Sequence, residues 1–449
     1  MWFGDYHVAR GWDLLLVRRK TDVRIIHPLL SRQTTSEPGL SSWRLLFLIR
    51  ICHLINDLDI GGAERALVNV VQNLDRSRFS NEVVSLVDPG VFGNHLRAAG
   101  IQLTSLGMRR GQPALRGLAK FVLHLRRSRP TVLQTWLCHA DLFGTVAHLF
   151  APSSRLLWNV RCTDIATTPG SANLLWITRL LARLSFRPDA VITNSKGGRI
   201  FHEEMGYRPR RWIELPNGVD TEQFRPRLDM REELRALLGI QTRGPVIGMV
   251  ARYHPMKDHT TFLQASAKFS RDYPEARFVL CGKDCDSQNE DLDRLILDAG
   301  LADRIVLLGV RDDMESVYPA FDLVTLCSTF GEGFPNTLIE AMACGVPCVA
   351  TDIGACGEII EGVGVIVPPR DPTALAQAWK SLFAEPMGVR VAEVRARVVE
   401  RYRIERICQL YGAAYLDIVH PAIVARGVRN VPASVSDVVP LRDTDSVAS

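Results

Sequence analysis

The stretch that decides the fold is Phe-Gly-Glu-Gly-Phe-Pro-Asn-Thr-Leu-Ile-Glu-Ala-Met-Ala-Cys-Gly-Val-Pro-Cys-Val-Ala, residues 330–350. A short apolar run before it predicts a buried strand, and residues 337–343 have the pattern of a helix. Asn336 is a residue type that favours the N-cap, where its side chain can satisfy a free backbone amide. Gly331 and Gly333 keep the loop free of side-chain bulk, so its amides can approach a ligand closely. We therefore expect a strand, a ligand-binding loop and a helix in succession.

Two carboxylates, Glu332 and Glu340, flank this junction between loop and helix. A helix N-terminus with open amides attracts phosphate. Glu340 lies one turn further into the helix, where a carboxylate would repel phosphate but could accept hydrogen bonds from sugar hydroxyls. The pattern indicates a ligand with phosphate at one end and a polyol at the other, as in a nucleotide sugar. The spacing of the two glutamates alone would also suit an ordinary strand–loop–helix with solvated side chains.

The composition is that of a globular protein with substantial cores, because 47% of the 449 residues are apolar and 23% are charged. The length suits two domains of about 200 residues each. A net charge of +5 permits an anionic ligand or membrane surface without requiring either. The sequence contains no run of eighteen apolar residues, so we expect no membrane-spanning helix. Residues 1–42 lack the pattern of a signal peptide. We expect a cytoplasmic protein, with peripheral attachment to the cytoplasmic face of a membrane left open.

The ten cysteines show no C-x2-C pair and no zinc-finger spacing. Several stand in strand-like or small-residue contexts, where a reduced cysteine behaves as a small apolar residue. We therefore expect buried thiols in a reducing compartment rather than zinc ligands.

Short apolar runs alternate with helical patterns from residue 43 onward, which is typical of parallel sheets built from βαβ units. The pattern predicts two doubly wound α/β domains that face each other over a cleft. The predicted strands cover residues 45–54, 82–87, 131–135, 155–160, 190–193, 246–250, 277–281, 305–309, 322–326, 346–350 and 363–367.

The run at 330–350 resembles the donor-site signature of retaining glycosyltransferases with two Rossmann-like domains, the GT-B fold, and in particular glycosyltransferase family 4. The resemblance implies transfer of a sugar from a nucleotide-sugar donor to a carbohydrate or lipid-linked acceptor, with retention at the anomeric carbon. It places the protein in polysaccharide or glycolipid synthesis. It implies no cofactor and no nucleic-acid partner.

The domain organisation follows from the strand pattern and this resemblance together. We predict a Rossmann-like acceptor domain at 43–215, a linker at 216–243 and a donor domain at 244–400. A last helix at 401–425 is expected to cross back to the first domain. Residues 1–42 and 426–449 match no part of the family pattern, and we expect both to be disordered.

The resemblance assigns the donor site to several short motifs. Arg252 and Lys257 follow the first predicted strand of the second domain, where two cations would hold the donor diphosphate and offset the charge of the leaving group. Gly61 and Gly62 follow the first strand of the first domain and would approach the donor phosphates from across the cleft. The donor loop would hold the sugar and phosphates through the backbone amides of Gly333, Phe334, Asn336 and Thr337, with Pro335, which has no amide hydrogen, among them.

The catalytic residues that the resemblance implies are His139 and Glu332. His139 would contact the donor sugar near the reacting carbon, with Asp141 as a second candidate beside it. Glu332 would contact donor hydroxyls, and Glu340 would contact the ribose. A lone histidine near a strand end is also a common helix cap or core residue.

Three aspartate pairs match the short metal-binding motif of single-domain transferases: Asp57 and Asp59, Asp284 and Asp286, and Asp291 and Asp293. Two aspartates separated by one residue arise often by chance, and the chain supplies its own cations at the predicted donor site. We therefore expect no catalytic metal.

A basic amphipathic helix is predicted at 113–129, and arginines recur at 179, 183 and 187 on another helix. Such helices dock on anionic membranes, and they also serve as ordinary packing elements. Two rivals to the transferase stay open: a non-catalytic nucleotide-sugar-binding or assembly subunit, and a GT-B hydrolase or epimerase of nucleotide sugars. The donor base, the sugar, the acceptor, the linkage and the oligomeric state are not specified by the sequence.

Overall fold

The computed structural model describes residues 48–59, 61–109, 115–161, 172–384 and 387–421. The predicted N-terminal extension 1–42 and the predicted tail 426–449 lie outside the described residues. Every strand pairing in the two sheets is parallel, as the βαβ pattern predicts.

The first sheet has seven strands in the order β3-β2-β1-β4-β5-β6-β7. Its strands are β1 (Ile49–Ile55), β2 (Phe79–Ser85), β3 (Gln102–Ser105), β4 (Val132–Trp136), β5 (Arg155–Val160), β6 (Ala190–Thr193) and β7 (Trp212–Glu214). Its helices are α1 (Gly62–Asn73), α2 (Phe92–Ala98), α3 (Leu115–Ser128), α4 (Cys138–Phe150), α5 (Ala172–Leu184) and α6 (Lys196–Glu204).

The second sheet has six strands in the order β10-β9-β8-β11-β12-β13. Its strands are β8 (Val246–Val250), β9 (Arg277–Cys281), β10 (Ile305–Gly309), β11 (Leu323–Leu326), β12 (Cys348–Thr351) and β13 (Val365–Val367). The remaining helices are α7 (Arg231–Leu237), α8 (His259–Phe269), α9 (Glu290–Asp298), α10 (Met314–Val317), α11 (Asn336–Ala343), α12 (Cys356–Ile360), α13 (Pro372–Phe383), α14 (Met387–Arg401) and α15 (Ile404–Val419).

Successive side chains of β1 enter two different cores, because side chains alternate between the faces of a strand. Ile51 and Ile55 pack with α1, α2 and α15, whereas Cys52 and Leu54 pack with α3, α4 and α5. The prediction of a doubly wound α/β fold with two Rossmann-like domains is therefore confirmed.

The strand order reverses once in each sheet, between β1 and β4 in the first and between β8 and β11 in the second. Ligands of open α/β sheets bind at such reversal points, outside the carboxyl ends of the strands. The segments that follow these four strands carry the predicted motifs at Gly61, His139, Arg252 and Glu332. The topology therefore places all four motifs at the edges where a ligand is expected.

The last helix returns to the first domain. Tyr411 and Tyr415 of α15 are buried in the core on the α1 side of the first sheet, where their hydroxyl groups bond with Asn159 and Gln134. Just before α15 the chain pairs with the segment that leaves the first domain, through a bridge between Val219 and Arg403. Two crossings between the domains therefore run side by side.

The predicted strands of the second domain are all present, whereas the first domain holds two strands that were not predicted, β3 and β7. Both are short edge strands of three or four residues with polar side chains interleaved, so they lack the apolar run by which the other strands are recognised. Within the described ranges, no helix is long and apolar enough to span a bilayer.

Candidate active site

The two domains touch at the loops that follow the reversal-point strands. A methyl group at Gly62, at the start of α1, would lie 3.9 Å from the side-chain nitrogen of Asn336 at the start of α11. A methyl group at Gly333 would lie 3.1 Å from the carbonyl oxygen of Arg161, which follows β5. The small residue at 333 therefore lets two backbones approach closely, and the N-termini of α1 and α11 face each other across one cleft.

Lys257 and Glu332 form an ion pair in this cleft. Lys257 ends a 3-10 turn, Pro255–Lys257, whose first amide donates to Nδ1 of His254. Glu332 is buried, and the hydroxyl group of Ser328 donates to its Oε1 at 2.6 Å. The carboxylate is thus held by two partners from its own domain, in a position that a sugar hydroxyl could share.

Arg252 lies exposed on the loop after β8, five residues before Lys257. Burial, together with the charges of Arg252 and Lys257, lowers the pKa of the neighbouring His254. The loop therefore carries positive charge at neutral pH without help from this histidine. That charge suits a diphosphate.

Glu340 faces the first domain from the second turn of α11. The hydroxyl group of Tyr318 donates to its Oε2 at 2.9 Å, and Nη1 of Arg65 lies 3.8 Å from its Oε1. Burial raises the pKa of Glu340, while the charge of Arg65 and the Tyr318 hydrogen bond act in the opposite direction. Arg65 belongs to α1, so a cation of the first domain stabilises the ionised form of a carboxylate in the second.

The prediction that Asn336 caps the helix is wrong. Pro335 occupies the N-cap of α11, and no described side chain caps the helix. The Asn336 side chain instead accepts a hydrogen bond of 2.7 Å from Nδ2 of Asn217, in the segment between the domains. The tertiary contact outweighs the local capping preference, and the start of α11 keeps its positive end toward the cleft.

Gly61 and Glu64 belong to the same turn at the start of α1. A methyl group at Gly61 would lie 2.1 Å from Oε2 of Glu64, so the carboxylate folds back over the glycine. Burial raises the pKa of Glu64 to about 7, and the nearby Asp57 and Asp59 act in the same direction. The Glu64 carboxyl group therefore occupies the space beside Gly61 that a larger side chain would enter.

The backbone of Gly354 packs against the backbone carbonyl group of Glu332. Its φ is +62°, and a methyl group there would lie 1.8 Å from the carbonyl oxygen of Glu332. A methyl group at Gly197 of the first domain would lie 3.7 Å from the Cα of Gly354. Only glycine fits at 354, because both the backbone conformation and the close contact exclude a side chain.

His139 and Asp141 both belong to the first turn of α4, but they face different surroundings. His139 is exposed beside a cavity of about 270 Å³, which Leu137 and Arg161 also line. Leu137 precedes the helix with a φ of +72°, a strained conformation that is found preferentially at functional sites. Asp141 is fully buried and accepts a hydrogen bond from the Thr135 hydroxyl group. Asp141 therefore lies in the core and does not line the cavity beside His139, and its burial raises its pKa well above the ordinary value.

The aspartate pairs serve local structure. Asp57 accepts the amide of Asp59, and Asp286 accepts the amide of Gln288, as in ordinary turns. Asp291 forms an ion pair with Arg294 one turn along α9. Each of these contacts joins residues no more than three positions apart along the chain.

Known proteins identify the family. Residues 60–223 match the family described as Glycosyltransferase Family 4, and residues 244–385 match the family described as Glycosyl transferases group 1. The chain is 31% identical over 291 residues to the D-inositol 3-phosphate glycosyltransferase of Corynebacterium urealyticum, an alignment that covers 60% of this chain and 67% of the relative. The chain belongs to glycosyltransferase family 4.

A second relative of this transferase acts on a lipid-linked substrate. The chain is 24% identical over 303 residues to an Escherichia coli protein named UDP-Gal:alpha-D-GlcNAc-diphosphoundecaprenol alpha-1,3-galactosyltransferase, covering 66% of this chain and 77% of that protein. In three dimensions, the transferase superposes on Anabaena Alr3699/HepE, solved in complex with UDP-glucose, with a TM-score of 0.71 and 24% identity. That superposition covers 82% of this chain and 99% of the Anabaena chain. It confirms the GT-B fold.

Three residues of the transferase cleft escaped the sequence-based prediction: Arg65, Arg161 and Asn217. Arg161 is partly enclosed by its contacts, since its Nε donates to Asn159 at 3.0 Å and its Nη2 donates to the hydroxyl group of Tyr411 at 2.7 Å. Its guanidinium lies 4.6 Å from the centre of a Trp136 ring and also donates to Asn217. Arg161 therefore joins the first sheet and α15 to the segment that positions Asn336.

A sequence signal existed for one of these residues only. Arg65 belongs to the same Gly-Gly-Ala-Glu-Arg motif as Gly61 and Gly62. A helix that begins at a ligand cleft presents the side chains of its first turn there, so Arg65 could have been included. Arg161 and Asn217 stand in no motif, and only the fold brings them to the cleft.

Proposed function

We propose that this glycosyltransferase takes a sugar from a nucleoside diphosphate sugar, with uridine diphosphate as the carrier, and transfers it with retention to a lipid-linked saccharide. The observation that carries the proposal is the Lys257–Glu332 ion pair at the start of α11. In this pair Lys257 is the cation that would bind the departing diphosphate, and Glu332 is the carboxylate that would accept hydrogen bonds from the sugar hydroxyls. The names of the Escherichia coli and Anabaena proteins support the uridine carrier.

Donor binding divides between the start of α11 and its second turn. Its N-terminus and the cations Arg252 and Lys257 meet the diphosphate, since open helix amides and positive charge both favour phosphate. Glu340, held by Tyr318 and facing Arg65, accepts hydrogen bonds from the ribose hydroxyls. A buried carboxylate forms strong hydrogen bonds because bulk water competes poorly there.

The chemical step breaks the bond between the anomeric carbon and the diphosphate oxygen and forms a bond to an acceptor hydroxyl oxygen on the same face of the sugar. Negative charge grows on the departing oxygen, and Arg252, Lys257 and the α11 amides stabilise it more in the transition state than in the donor. The proton of the acceptor hydroxyl passes to the departing phosphate. Glu332 is already paired with Lys257 and Ser328, so it positions donor hydroxyls and does not attack the anomeric carbon.

The positive charge needed at the leaving group comes from the chain itself, so we propose that turnover requires no metal ion. His139 approaches the reacting carbon from the first domain, beside the cavity at Leu137 and Arg161. Its exposed position at the start of α4 leaves its ring accessible to the sugar.

We propose that the transferase docks on the cytoplasmic face of a membrane through α3, α4 and α5. Large apolar side chains are exposed on these helices, including Leu115, Leu123, Phe150 and Trp176. Exposed cations lie among them on α3 and α5: Arg116, Lys120, Arg126, Arg127, Arg179 and Arg183. Apolar anchors among basic residues fit the interface of an anionic bilayer, where a lipid-linked acceptor would be found.

The experiment is a donor panel read out in two ways. Calorimetry with uridine, guanosine and adenosine diphosphate sugars identifies the carrier, and incubation of the bound donor with a lipid-linked saccharide extract detects transfer. We expect tight binding of one uridine diphosphate sugar and a product whose new linkage keeps the anomeric configuration of the donor. Tight binding without any product across acceptors would instead support a non-catalytic binding subunit, and release of free sugar alone would support a hydrolase.

A further inference from the structure

Three metal-ligating side chains meet under α3, outside the donor cleft. Cys52 of β1 and Glu82 of β2 are paired in the parallel register, so both side chains leave the sheet on the same face. His124 of α3 packs over them, and the candidate ligand atoms of the three residues all lie within 4.8 Å of one another. Within the described ranges, no other such group of histidine, cysteine and carboxylate side chains is present.

His124 and Glu82 lie in close contact within this group. Nε2 of His124 lies 3.2 Å from Oε1 of Glu82, yet the ring nitrogen has no aligned hydrogen-bond partner among the described residues. The Ser128 hydroxyl group, one turn further along α3, is also buried and has no aligned partner there. A sulfur, a carboxylate oxygen and a ring nitrogen therefore converge on one small region beneath α3.

We propose that Cys52, Glu82 and His124 bind one zinc ion. A thiolate, an imidazole and a carboxylate together are a donor set that zinc accepts, with bonds of about 2.3 Å to sulfur and about 2.0–2.2 Å to nitrogen and oxygen. Softer and harder divalent ions each disfavour part of this set. The Ser128 hydroxyl group, or a water molecule beside it, takes the fourth tetrahedral position.

The site stabilises structure and takes no part in catalysis. Cys52 lies in the core between the first sheet and α3, α4 and α5, on the face opposite to α1 and α15. On α3 itself only Gly117, Phe121 and Leu125 are fully buried, so a metal bond at His124 fastens a helix that is otherwise held by few side chains. The expectation of reduced, unligated thiols is thereby revised for Cys52 alone.

The test loads the full chain with zinc or cobalt, removes free metal by gel filtration, and measures bound metal by elemental analysis. We expect about one zinc per chain, a rise in melting temperature on loading, and a thiolate-to-cobalt absorption band in the cobalt form. Cys52→Ser should abolish that band. His124→Ala should weaken zinc by more than the 10–100-fold that is typical of losing an outer-shell partner.

Cys348→Ser, at a buried cysteine of β12, is the matched control and should keep the zinc, the band and the rise in melting temperature. Failure of the unmodified chain to retain zinc, or a cobalt form without the thiolate band, would overturn the proposal. Zinc retained at full stoichiometry by Cys52→Ser would do the same. The spectrum of the unmodified chain decides the matter even if a variant does not fold.

Discussion

Arg65 and Glu340 face each other across the two domains, with 3.8 Å between Nη1 and Oε1. Both side chains belong to helices that start at the cleft, α1 and α11. Burial raises the pKa of Glu340, and the charge of Arg65 opposes that shift by favouring the ionised carboxylate. The contact therefore links the closeness of the domains to the charge of the residue proposed to bind the ribose.

Replacing Arg65 should weaken donor binding. In Arg65→Met, Glu340 loses its cation, becomes protonated more readily and accepts weaker hydrogen bonds from the ribose. We expect the dissociation constant of the donor to rise about tenfold, which corresponds to about 1.4 kcal/mol, in calorimetry at pH 7.5. Arg97→Met, at an exposed arginine of α2, is the control and should leave binding as it was. An unchanged donor affinity in Arg65→Met would show that the contact is incidental.

Replacing Lys257 should slow the chemical step more than it weakens binding. The charge on the leaving oxygen grows as its bond breaks, so a lost preorganised donor reduces kcat by about 10²–10³. Single-turnover rates and calorimetric donor binding, measured on Lys257→Ala, separate the two effects. Lys268→Ala, at an exposed lysine of α8, should retain both values. Equal losses in rate and affinity would mean that Lys257 only anchors the bound donor.

The raised pKa of Glu64 predicts a pH dependence of stability. Between the unfolded value near 4.5 and the folded value of about 7, the folded chain keeps a proton that the unfolded chain has lost, so the free energy of unfolding falls as pH rises. Relative to Glu64→Gln, the unmodified protein should lose up to about 3 kcal/mol between pH 4.5 and pH 7. Urea unfolding of both proteins across this range measures the difference. A difference that stays constant with pH would contradict the raised pKa.

Chelation should leave turnover intact. Because Arg252, Lys257 and the start of α11 supply the positive charge, brief treatment with EDTA is expected to change the transfer rate by less than about twofold, a fraction of RT in activation free energy. Magnesium and manganese should add nothing to the rate. Cys52→Ser and His124→Ala should likewise turn over normally, since neither side chain belongs to the proposed donor site. Activity lost on chelation and regained only with manganese would refute the metal-free mechanism.

Membrane docking should respond to charge on α3. Changing Arg116, Lys120 and Arg127 to glutamate removes attractions of about 1 kcal/mol each near an anionic surface. We therefore expect the triple variant to stay in the supernatant when anionic vesicles are sedimented. Arg126 is left in place because it donates to the carbonyl oxygen of Phe150 and so holds α3 to α4.

The matched control for the membrane experiment changes the charge of the second domain by the same amount. Lys268, Arg271 and Arg294 are exposed there, and their replacement by glutamate should leave vesicle binding unaltered. Equal release by both triple variants would point to net charge rather than to a docking face. Absence of binding by the unmodified protein would dismiss the membrane proposal.

Short sequence patterns were enough to predict the repeating βαβ units of the fold. The strands of the second sheet are continuous apolar runs, and Glu332 and Glu340 share one contiguous motif, so both could be predicted. The capping prediction at Asn336 failed because its partner, Asn217, stands 119 residues away along the chain. The contact between Arg161 and Tyr411 spans 250 residues. Such pairings depend on how the domains and α15 assemble, which no short window of sequence contains.

The packing of α15 on the first domain also determines the order in which the cores of the two domains can be completed during synthesis. Its tyrosines complete the core of the first domain, although they are encoded almost 200 residues after the last strand of that domain, β7. While the chain emerges from the ribosome, the groove between α1 and the first sheet stays open and apolar until residues 404–419 are released. The second domain has all of its strands by residue 367 and can close its core earlier. The half of the enzyme that is synthesised first is thus the half that is finished last.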